Sequence, residues 1–180
     1  MIASERTQNT IVVSVIIVAV VSSMFLAGNA IYYGGSYALA GRLEPTLLEV
    51  RVSNINHVNE SIDPVLRLNF NLASSAEEEG NVRITYLGAD VMLNNDALSY
   101  MSFSKTLPLA EQYLYPGFDS NYTMTDSASS VADKQAFLDA DTSGIWNWYI
   151  EFYYSFIVFD ETGTVTFRTF YFNTTITTIV

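Results

Sequence analysis

The chain holds one histidine, His57, and no cysteine. Thiolate nucleophiles, thiolate metal sites and disulfides are therefore excluded. His57 lies in the polar stretch Asn56-His57-Val58. Acid–base work needs a group to orient the ring and a proton to move, and the adjoining sequence offers neither. Ser102-Phe103-Ser104-Lys105 has the S-x-x-K spacing of serine acyl-enzymes. That chemistry needs Ser and Lys one helical turn apart, whereas the strand pattern here points them to opposite faces. Asp139-Ala140-Asp141-Thr142-Ser143-Gly144 places hard oxygen ligands at alternate positions before a turning glycine, as the first half of a calcium loop does. Its twelfth position is Ile150, where a bidentate carboxylate belongs. Calcium at Asp139, Asp141 and Ser143 and a plain acidic turn both stay open. Three glycosylation triplets begin at Asn59, Asn121 and Asn173 and are compatible with export. We expect no enzyme activity, no catalytic residue and no cofactor, and we assign no metal ligand.

The elements that would carry any such residue begin with Ile11–Tyr33, 23 residues without a charge. As a helix this run reaches ~35 Å, enough for a ~30 Å hydrocarbon core. Its β-branched residues favour a strand in water, but in lipid the backbone must bond within the segment, which selects a helix. Tyr32, Tyr33 and Tyr37 suit the headgroup layer, and Gly34-Gly35 should end the helix. A core helix of a soluble protein, a signal peptide cleaved near Gly28-Asn29-Ala30 or Ala38-Leu39-Ala40, and a filament subunit with its helix packed on copies of itself compete with this reading. Arg6 before the run and Arg42 after it leave the positive-inside rule almost silent. We expect residues 1–10 to be an inner tail and the large acidic part to be exported.

The formal net charge is −11; Glu5 and Arg6 cancel, so all of it lies after the apolar run. Such a surface repels nucleic acid and anionic headgroups, so no nucleic-acid partner is expected. With 34–45 as a linker, 46–180 reads as one β domain. Leu48, Val50 and Val52 alternate with Glu49, Arg51 and Ser53. Leu66, Leu68, Phe70 and Leu72 alternate with Arg67, Asn69 and Asn71. The run Glu77-Glu78-Glu79-Gly80-Asn81 reads as a solvated turn. Val82–Tyr86, Val91–Leu93, Tyr100–Leu107 and Asn121–Thr125 read as further strands. A helix over Ser129–Asp139 would be capped by Ser130 and pack Val131, Phe137 and Leu138 inward. Trp146–Phe159 and Val165–Ile179 form an aromatic pair joined by the turn Asp160-Glu161-Thr162-Gly163. With Trp148 inside, Tyr149, Tyr153, Phe159, Phe170 and Phe172 fall outside, a contact face for a protein partner or a second copy. About 7–9 strands spaced by turns predict an Ig-like β-sandwich after a single transmembrane or filament-core helix.

Leu47 to Thr125 resembles the group-2 late-embryogenesis-abundant, or water-stress-response, domain. The features that carry it are Val50–Ile55, Leu66–Leu72 with Asn69 and Asn71, Val82–Gly88, Val91–Leu93 and Tyr115-Pro116-Gly117. The resemblance implies a non-enzymatic protective or scaffolding module on one membrane span, with no catalytic residues. Archaeal pilins and archaellins are a second resemblance, since they also join an apolar N-terminal helix to a β-sandwich. The expected function is structural or interaction-based at the cell membrane. A filament subunit and an accessory subunit of a membrane complex are the alternatives.

Overall fold

The computed structural model describes residues 2–59, 61–159 and 165–180, with side chains from residue 4 onward. The expected turn Asp160-Glu161-Thr162-Gly163 lies outside the described residues. One 40-residue helix, α1 (Ile2–Gly41), is followed by two β-sheets. The most apolar stretch of α1 has no buried residue, so its side chains meet whatever surrounds the molecule. Thr10, Ser23 and Ser36 each donate a hydroxyl to the carbonyl four residues earlier, which hides these polar groups along the rod.

The helix does not end at Gly34-Gly35. It runs on to Gly41, and β1 (Leu43–Ser53) starts two residues later, so the expected linker over 34–45 is helix and strand instead. A glycine inside a helix costs only about 1 kcal/mol relative to alanine. Here its missing Cβ lets another segment pass close by.

The first sheet has the order β6-β2-β1-β9, built from β1, β2 (Val65–Ser74), β6 (Asp119–Ser127) and β9 (Thr178–Ile179). The second runs β4-β3-β7-β8, from β3 (Val82–Leu93), β4 (Asp96–Ala97), β7 (Trp148–Val158) and β8 (Thr166–Thr174), with β5 (Phe103–Thr106) also pairing β3. A short turn, α2 (Leu109–Gln112), and α3 (Val131–Ser143) complete the fold. Ser130 caps α3 by accepting the Asp133 N–H at 3.0 Å, and Gly144 closes it with φ 69°. Phe137 is buried as expected, but Val131 is exposed.

The alternation in β2 holds throughout: Leu66, Leu68, Phe70 and Leu72 are fully buried. Elsewhere bulges reset it. In β1 a bulge between Leu47 and Glu49 turns Leu48 outward, so Pro45 and Val50, not Leu48, point to the core. In β3 a bulge between Ile84 and Tyr86 hands the inner face to Leu87. The two strands expected over Val82–Tyr86 and Val91–Leu93 are one, continuous through Gly88. The return run Val165–Ile179 is two strands: β8 pairs β7, and β9 crosses to the other sheet and lies parallel to β1.

Phe170 lies opposite Phe152 and Phe172 opposite Ile150 on the antiparallel β7–β8 ladder. Opposed residues share a face, so Phe170 and Phe172 point inward, correcting their expected outward place. Phe70 meets Phe152 at 4.4 Å and Phe172 at 5.8 Å, joining the two sheets.

Candidate functional site

The side chains with candidate chemistry do not converge. Asp139, Asp141 and Ser143 lie within α3, where alternate residues point away from one another. Asp139 accepts from Gln135 at 2.8 Å, and the Ser143 hydroxyl donates to the Ala140 carbonyl at 3.2 Å. These residues form a helix end; of the two readings left open, the calcium loop is not formed. Among the described residues no group of three or more His, Asp or Glu side chains is placed to hold a metal. His57 does gain a partner, Asp141 at 2.7 Å, which ties the loop after β1 to α3. No described nucleophile bonds to that ring. The Ser102 N–H donates to the Asp126 carboxylate, while Lys105 lies over the Tyr122 ring at 5.5 Å, so the S-x-x-K residues part. Asn59 and Asn121 are exposed and hydrogen-bonded to Ser61 and Asn71, and Asn173 is exposed on β8.

What the fold does assemble is a junction. The 77–81 run is no free turn: it crosses α1 where Gly35 and Ser36 are buried. A Cβ on Gly35 would overlap the Glu79 carbonyl oxygen, and one on Gly80 would sit 2.5 Å from the Ser36 Cα. The Ser36 hydroxyl accepts the Asn81 N–H at 2.8 Å while donating to Tyr32 O at 2.9 Å. One turn on, Leu39, Ala40 and Leu43 enter the sandwich core. Arg168 on β8 donates to Ala40 O at 3.1 Å and Gly41 O at 2.9 Å, filling carbonyls that a helix end leaves open and placing a cation at its negative pole. Tyr154 donates to Leu43 O at 3.1 Å. Phe159, with φ 65°, packs its ring among Tyr32, Tyr33 and Tyr37, 4.4 Å from Tyr33. Sequence reasoning missed this junction. The available signal was Gly-Gly-Ser in helical phase with the apolar run, matched by Gly80-Asn81.

The outer face of the second sheet is the other unusual surface. Tyr86 stacks on Tyr153 at 6.2 Å and Tyr149 on Tyr171 at 5.8 Å, with Phe167 exposed beside them. Burial, then Asp90 and Tyr86 nearby, pushes the Tyr153 phenol up to about 12. The Glu151 carboxylate raises that of Tyr171.

No family model matches the chain, and no curated protein matches it. Among solved structures it is similar to a protein from Archaeoglobus fulgidus (TM-score 0.41, 9% identity, 74% of this chain and 96% of that one). It is also similar to a protein described as ApaA from Bordetella pertussis (TM-score 0.42, 10% identity, 73% and 92%). At these scores the likeness carries no functional argument.

Proposed function

We propose that this chain is a non-enzymatic structural or interaction module, an Ig-like β-sandwich held outside the cell membrane by one amino-terminal helix. The observation that carries the reading is the junction. An apolar helix with nothing folded around it passes without a linker into the core of an acidic domain. Such a rod needs lipid or protein around it, and the interlocked glycines and the Arg168 cap hold the sandwich at one angle to it. The resemblance to the water-stress-response domain agrees with a scaffolding role. The outer tyrosine face suits a protein partner, with Tyr171 replacing Phe172 among the residues to test.

Alkaline carbonate washing of native membranes tests the anchor. The full chain should stay with the bilayer; intact chain in the wash would overturn the reading. A second reading, a filament subunit with α1 in the filament core, is favoured by the same unbroken helix, because a stiff coupling would set each sandwich around a shared rod. Detergent should release a monomer or small complex in the first case, and shear should release long fibres in the second. An accessory subunit would instead co-purify a stoichiometric partner.

A further inference from the structure

At the ends of β3, β7 and β8 far from the junction lies an open groove of about 670 Å³. Met92, Asn95, Asn147, Tyr149, Asn173 and Ile176 line it, and no described Asp, Glu, Lys or Arg does. On a chain of net charge −11 that neutrality stands apart.

Its walls are tied together. The Asn94 side chain donates to Ile145 O at 2.7 Å and accepts the Asn147 N–H at 3.0 Å. Trp148 Nε1 donates to Thr177 Oγ1 at 2.8 Å, holding the segment after β8. Asn94 and Asn95 keep left-handed backbone, φ 52° and 74°, which asparagine tolerates. Tyr149 is backed by the stacked Tyr171 ring. The carboxamides of Asn95, Asn147 and Asn173 make no hydrogen bond to another described residue.

A pre-formed hollow of this size, with one aromatic plane and a few free amides, is a ligand site in miniature. A phosphate or carboxylate would find no cation there. A wholly apolar ligand would strip water from the amides without replacing it. Hydroxyl groups match carboxamides as both donors and acceptors, and the C–H face of a sugar ring matches the tyrosine plane. We infer that this groove binds a neutral oligosaccharide. The sugar could be an external polysaccharide or a glycan on Asn173 itself, since Asn173-Thr174-Thr175 is a sequon. The inference rests on the proposed interaction module, but its test does not involve the anchor, so the two fail separately.

The full chain in amine-oxide micelles, free of sugar-headed detergent, is titrated with maltotriose, cellotriose, mannotriose and chitotriose. Intrinsic fluorescence and saturation-transfer NMR follow binding. One or more should saturate below about 10 mM. Tyr149→Ala and Asn147→Asp, each checked for native near-UV circular dichroism, should weaken binding about tenfold or more. Tyr153→Ala, on the same sheet face outside the groove, should not. Protein made in a host without N-glycosylation keeps every lining residue, Thr175 included, and leaves Asn173 bare. Equal binding with and without glycosylation assigns an external sugar; binding only to the bare protein, with a glycan on native Asn173 by mass spectrometry, assigns the chain's own. The inference is overturned if no trisaccharide binds either protein, or if both groove variants bind as the parent does.

Discussion

The ring of Tyr153 lies across Gly88, so close that a Cβ at that glycine would come within 2.5 Å of it. Gly88→Ala should therefore cost about 1–3 kcal/mol of stability, read by chemical denaturation. The same burial holds the Tyr153 phenol at about 12 in the fold, against an ordinary value of about 10 in the unfolded chain. Below that ordinary value both states keep the proton and the stabilisation is complete. Between about pH 10 and about pH 12 the unfolded state sheds its proton first, so stability falls as pH rises. Tyr153→Phe should flatten that decline in denaturation curves, leaving the part due to Tyr122 and Tyr154, whose phenols burial also raises, and to Tyr171, raised by Glu151. At this scale the sequence was partly legible. The Ser130 cap follows from local spacing alone. The His57–Asp141 pair joins residues 84 positions apart and left no local trace.

Among elements, the passage from α1 to β1 sets the architecture. Gly80→Ala should force the loop off Ser36 at a cost of about 1–3 kcal/mol, with protease cleavage near residues 77–81 as the readout. Arg168→Met keeps most of the side-chain stem and removes the cap. It should lower stability by about 1–2 kcal/mol, measured by thermal unfolding in micelles. The strand β2 was readable because one face is wholly buried, which forces a strict two-residue period. The bulges in β1 and β3 were not, since a single extra residue shifts the period without altering composition. Gly34-Gly35 misled for a related reason. Glycine marks both a chain break and a close approach, and only the position of the 77–81 segment decides between them.

For the whole molecule, two sheets behind an apolar helix were legible from hydropathy and turn spacing. The crossing of β9 to the opposite sheet was not, because it depends on which edge lies nearest. The lack of native cysteine permits a direct test of rigidity. Spin labels at Ala27→Cys and Ser104→Cys should give one narrow distance distribution by pulsed dipolar spectroscopy. Adding Gly35→Leu should broaden it, whereas a broad distribution in the parent would argue against a fixed junction.

Within α1 the apolar run Ile11–Tyr33 reaches ~35 Å, a little more than the ~30 Å hydrocarbon thickness. Held in a bilayer, a helix longer than the lipid around it leans to fit, and leans less where the membrane thickens. With no hinge at Gly41, the body above must pivot with it. A lean of about 20° about the junction would swing the far tip sideways on the order of 10 Å. If α1 is held in lipid as proposed, the sandwich would act as a pointer whose reach over the membrane surface follows bilayer thickness.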